Sequence, residues 1–165
     1  VLSRRLVSFG LYPAIDPLDS WSTYGGLIDR EKMAAAKKIL RAGNEIKQMM
    51  AVVGEEGTSV EDFTTMLKAE FFDNVYLQQN AFDEVDGATP ADRQKLVFDT
   101  ISRVLEMDFQ FESRDQARDV MVQGTDLFRT WNYVPSDSEE FARIQGEIET
   151  FIAEKGRVAE KGRAA

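Results

Sequence analysis

From about Arg30 onward, apolar residues recur three and four positions apart, a spacing that predicts helices rather than strands. Between Arg30 and Val53 the stripe is Met33, Ala36, Ile39, Leu40, Ile46, Met49, Met50 and Val53. Gly43 lies on or beside it, where a missing side chain allows close packing, and Gly54 ends the element. The acidic turn Gly54-Glu55-Glu56-Gly57-Thr58 follows. Ser59 with Asp62 is a near capping box for the next helix, whose face carries Phe63, Met66, Leu67 and Phe71. That segment runs on through Val75 and Leu77 to Gln78-Gln79-Asn80-Ala81-Phe82, and Asp83-Glu84-Val85-Asp86-Gly87 breaks it. Thr89-Pro90 reads as an N-cap followed by Pro at the first helical position. The helix it opens shows Leu96, Val97, Ile101, Val104 and Leu105 on one face. Ser113 caps another, with Ala117, Val120, Met121, Leu127, Phe128 and Trp131, although Gly124 leaves its continuity open. After Pro135-Ser136 a last helix carries Phe141, Ile144, Ile148, Phe151 and Ile152.

No strand alternation of any length and no internal repeat is present, so the expected fold is all-α: a bundle of about five helices with short connections. The beginning of the chain does not fit that bundle. Val1 to Phe9 reads as a helix end stopped by Gly10, and Pro13 and Pro17 then forbid regular structure across an apolar loop. Trp21, Tyr24, Gly25 and Gly26 extend the irregular stretch. The expected organisation is a connector over residues 1–29 leaving another domain, a helical domain over 30–156, and a frayed tail over 157–165.

Composition narrows the chemistry. Cysteine and histidine are both absent from the 165 residues, which removes thiol catalysis, Ser-His-Asp triads, a histidine base and histidine-based metal sites. A Walker A glycine loop is also missing. The net charge of −9 disfavours nucleic acid and anionic membrane surfaces and suits a basic protein partner, although solubility alone explains the acidity. No apolar run approaches the length of a membrane span.

Three places could touch a ligand or partner. Tyr12, in the Pro-bounded loop, could stack on a flat ring such as a nucleobase, but packing on a neighbouring helix is the stronger reading on physics alone. Gln78, Gln79 and Asn80 stand before Phe82, where amides can cap carbonyls or reach a base edge while the ring stacks. Glu55 and Glu56, with Glu61 and Asp62, form either a solvated turn or a surface for a basic helix. Asp83, Glu84 and Asp86 do not meet the calcium-loop pattern, so no metal site is expected.

These segments occur in a telling order. Val1-Leu2-Ser3-Arg4-Arg5 leading into Gly10-Leu11-Tyr12-Pro13-Ala14-Ile15-Asp16-Pro17-Leu18-Asp19-Ser20 resembles the catalytic subunits of rotary ATP synthases, here even more the F-type beta subunit than the usual V-type one. The stretch from Met49 to Asp62 is similar to that family's helix, acidic loop and helix, with the acidic run diluted by Gly57, Thr58 and Ser59. Tyr76-Leu77-Gln78-Gln79-Asn80-Ala81-Phe82-Asp83-Glu84-Val85-Asp86 looks like the V/A-type catalytic A subunit in particular. The resemblance is collinear over about residues 1–110 and implies a C-terminal piece of that subunit.

The resemblance further implies that Tyr12 and Phe82 close the two sides of an adenine pocket, with Gln79 and Asn80 as lesser neighbours. It implies that the turn bearing Glu55, Glu56, Glu61 and Asp62 reaches the central rotor stalk. ATP or ADP with Mg would bind the intact subunit and no cofactor this piece. The partners would be B subunits of the catalytic ring and the stalk, in a cytoplasmic complex peripheral to the membrane that moves protons or sodium ions. The phosphate-binding and catalytic residues would precede Val1, so no catalytic residue is expected here and the piece alone should be inactive. Two alternatives stay open: an F-type beta-subunit domain, or a standalone helical adaptor.

Overall fold

The computed structural model describes residues 29–77 and 91–163, with side chains described for 29–77 and 92–155. Among them are five α-helices and no strand: α1 Arg30–Val53, α2 Val60–Phe72, α3 Ala91–Glu106, α4 Arg114–Tyr133 and α5 Glu139–Arg163. A π-helical turn, Asp73–Leu77, continues α2. This is the all-α bundle expected from the 3.6-residue period.

The helix ends follow local chemistry. Asp29 caps α1, its Oδ1 accepting the Glu31 N–H at 2.8 Å. Gly54 stops the helix at φ 81° and ψ 165°, a backbone conformation open essentially to glycine alone. Ser59 Oγ accepts from the Asp62 N–H at 3.1 Å, and Ser113 Oγ from the Gln116 N–H at 3.2 Å, as the sequence predicts.

Helix α2 lies centrally. It packs most extensively on α1, then on α4, and also touches α3, while α5 packs on α4. Phe63, Met66, Leu67 and Phe71 are buried as expected, and Thr64, Ala69 and Phe72 are buried with them, because neighbours surround α2 on more than one face. The Phe71 ring meets Phe128 of α4 edge-on at 5.2 Å, one of several aromatic contacts each worth about 0.5–1.5 kcal/mol beyond area burial. Trp131 is fully buried, stacked on Phe141 at 5.1 Å, while its indole N–H finds no acceptor among the described residues.

Two glycines act through space. A Cβ on Gly43 would stand 2.3 Å from the Ala69 Cβ, so α1 and α2 cross in near backbone contact, as the stripe suggested. Gly124 does not interrupt α4. The helix runs unbroken because the Phe151 ring of α5 fills the notch, 3.0 Å from where a Cβ would be.

Three details depart from the periodic reading. Met49 and Val53, counted on the apolar stripe, are 44% and 53% exposed, because they lie off the face through which Ala36, Leu40 and, in their own turn, Met50 meet the core. Leu96 is half exposed, whereas Phe98, two positions away, is fully buried against Phe72. Helix α5 continues past Gly156 to Arg163 through a stretch rich in Ala, Glu, Lys and Arg, all good helix formers. The connector over residues 1–29 lies outside the described residues apart from Asp29.

Candidate functional site

Residues 54–59, the acidic turn, form a built structure. The Gly54 N–H donates to the Met50 carbonyl at 2.9 Å, and the Thr58 N–H to the Glu55 carbonyl at 3.0 Å. Thr58 is buried and its hydroxyl donates to the Gly54 carbonyl at 3.2 Å, closing the loop on itself. Two arginines one helical turn apart on α4 hold it from outside. Arg114 Nη1 donates to the Thr58 carbonyl at 3.0 Å, and Arg118 Nη2 to Glu55 Oε1 at 2.8 Å. Arg118 also pairs with Asp115 at 3.3 Å, and its guanidinium lies 5.1 Å over the Phe63 ring. The Glu55 hydrogen bond is the main cause that raises the Arg118 pKa.

The four acidic residues expected on this surface therefore differ. Glu55 faces α4 in an ion pair. Glu56 and Glu61 are exposed, with no ion pair among the described residues. Asp62 is half-buried in the first turn of α2, where the helix dipole favours a carboxylate. Beside them, Met49, Val52 and Val53 form an exposed apolar face on the last turn of α1, with Val52 at 86% exposure.

A second polar cluster lies at the other end of α4. Asn132 Nδ2 donates to the Val75 carbonyl in the π-helical turn at 2.8 Å. Arg93, near the start of α3, is buried at 6% exposure and donates from Nη2 to the carbonyls of Trp131 at 2.9 Å and Asn132 at 2.7 Å. Its guanidinium lies 5.2 Å over the Phe141 ring. The chain before and after residues 78–90 is thus tied to one residue, Asn132. Within the turn, Tyr76 stacks on Phe72 at 5.4 Å, and burial pushes its phenol pKa up to about 12.

Lys68 of α2 closes the C-terminal end of α3. Its ammonium donates to the Leu105 and Met107 carbonyls, the former at 2.9 Å, and sits 5.3 Å over Phe109. Burial is the main cause holding its pKa below the ordinary lysine value, partly opposed by Asp108.

Of the residues expected at the adenine pocket, Tyr12, Gln79, Asn80 and Phe82 all lie outside the described residues. The structure adds Arg93, Asn132, Arg114 and Arg118, which sequence reasoning missed. An arginine at the start of a helix and an asparagine at the end of another carry no signal until the facing carbonyls are known. The one available hint was the spacing of Arg114 and Arg118, four apart on one face of α4.

Among the described residues, then, polar side chains brace helix ends and a turn, and no helix is long and apolar enough to cross a membrane. This is an all-helical domain with a braced hairpin tip. The family profile of the C-terminal domain of V and A type ATP synthase matches residues 30–117, and the chain belongs to that family. It is 46% identical over 151 residues to the V-type ATP synthase alpha chain 1 of Treponema pallidum, covering 92% of this chain and 26% of that relative. It is 44% identical over 154 residues to the V-type ATP synthase alpha chain of Treponema denticola, covering 93% of this chain and 26% of the relative. The alpha chain of Borrelia garinii subsp. bavariensis is 53% identical over 120 residues, 73% of this chain and 21% of the relative. The chain therefore spans about a quarter of the length of the relatives it matches. Between the alternatives left open by the sequence, the match selects the V/A type over both the F type and an unrelated adaptor.

Proposed function

We propose that this chain is the part of a V/A-type catalytic subunit that completes the adenine pocket and passes the resulting movement to the central stalk. The observation that carries the reading is the similarity to V-type alpha chains over nine-tenths of the chain, combined with the order of the three segments. Mg-ATP chemistry belongs to residues upstream. Tyr12 and Phe82 sandwich the adenine, each stack contributing about 1–3 kcal/mol, with Gln79 and Asn80 beside it. The bracing of Val75 and Arg93 to Asn132 supports this role, since it fixes the polypeptide on either side of the Phe82 segment to the core.

As the site fills and empties, the helical domain moves about a hinge, and the tip between α1 and α2 presses on the stalk. The partners are the B subunits of the ring and the stalk subunits, in a cytoplasmic assembly peripheral to the membrane that couples ATP to proton or sodium movement. The test is ATP hydrolysis by the full-length subunit in its A–B ring, wild type against Phe82→Ala. A raised KM for ATP with rotor coupling retained is expected. Unchanged KM and kcat would remove Phe82 from the pocket.

A further inference from the structure

The helical run of α2 changes its winding before it ends. Over Asp73–Leu77 it is π-helical, a rare conformation whose persistence needs support from outside the backbone. Three contacts supply that support. Asn74 Nδ2 donates to the Glu70 carbonyl at 2.9 Å, from within the turn. The Tyr76 ring stacks on Phe72 and meets Phe98 of α3 at 5.2 Å. From the end of α4, the half-buried Asn132 donates through Nδ2 to the Val75 carbonyl at 2.8 Å. Carbonyls in the last turn of a helix lack a donor within it, so Val75 is suited to an external amide.

Asn132 has a second hold on the chain. Its own carbonyl accepts from Arg93 Nη2 at 2.7 Å, in the first turn of α3. One residue thus fixes Val75 by its side chain and Arg93 by its main chain. We propose that Asn132 is a positioning residue for the adenine end of the nucleotide site, acting by keeping the π turn in register on α4; this rests on the adenine-pocket reading above. A slip of one residue in that turn rotates the outgoing chain by about 100°, and a ring carried on it would be turned out of any stack. Asn132 acts through the turn and touches neither nucleotide nor phosphate. Its loss therefore weakens nucleotide binding and leaves the chemical step alone, a change in KM rather than kcat.

The experiment measures KM and kcat for ATP hydrolysis by the full-length subunit in its A–B ring. It compares Asn132→Ala, Asn132→Asp, Phe82→Ala and the double variant Asn132→Ala/Phe82→Ala with wild type. A several-fold rise in KM with kcat little changed is expected for Asn132→Ala. Asn132→Asp keeps the shape but loses the amide donor, and should be impaired at least as much. The double variant should have the KM of Phe82→Ala alone, because two residues acting through one contact are not additive. An unchanged KM in Asn132→Ala beside a raised one in Phe82→Ala overturns this inference and leaves the pocket standing. A wild-type KM in Asn132→Asp overturns it as well, since the donor would then be dispensable. So does a full further rise in the double variant, which would mean that Asn132 acts independently of Phe82. An unchanged KM in Phe82→Ala removes the pocket reading, and this inference with it.

Discussion

The two ends of α4 use the same side chain in opposite surroundings. At the N-terminal end Arg118 reaches Glu55 across a boundary open to water, the two side chains being 41% and 43% exposed. At the C-terminal end Arg93 arrives from α3, is almost wholly buried, and donates to two main-chain carbonyls. In water an ion pair competes with hydration and salt, so the first contact steers geometry more than it stabilises the fold. Away from water, a carbonyl that loses a charged donor cannot turn to solvent in its place, so the second contact is part of the core. One end is built to hold a turn in place, the other to hold the bundle together.

Replacing Arg93 by Met keeps the aliphatic stem but removes the guanidinium donor from the Trp131 and Asn132 carbonyls, the former keeping the Val134 N–H at 3.4 Å. The expected loss of folding stability is about 2–4 kcal/mol, readable as a shift in urea midpoint with unchanged slope. Asn132→Ala removes a single neutral hydrogen bond to Val75 and should cost about 1 kcal/mol. Arg118→Gln should move the melting temperature least, and its small effect should shrink further as salt is raised. Equal losses for Arg93→Met and Arg118→Gln would break the contrast between the two ends. A salt-dependent Arg93→Met effect would show that water reaches the buried arginine.

The same contrast explains what could be read in advance. Features set by neighbours in sequence were legible: the limits of α1, the Ser59 and Ser113 caps, and the stripes of α2, α4 and α5. Features set by a facing element were not. Phe98 is buried and Leu96 half exposed because Phe72 and Tyr76 lie on one side of α3, which no count along α3 reveals. Gly124 looked like a weakness until the Phe151 ring accounted for it. Glu55 and Glu56 are adjacent and chemically identical, and only the position of Arg118 separates them. The Tyr12 and Phe82 assignments came from motif order, and their segments fall outside the described residues.

The Gly43–Ala69 crossing has a mechanical consequence. With a Cβ excluded at 2.3 Å, the two backbones meet where neither helix has a side chain long enough to act as a cushion. Gly43 precedes Val53, the end of α1, by ten residues, which at about 1.5 Å per residue is roughly 15 Å. Side-chain rotamers yield under load, whereas backbone against a methyl group hardly compresses. The crossing therefore acts as a fulcrum with little give, and α1 beyond it is a short, stiff arm whose tilt must be shared by α2.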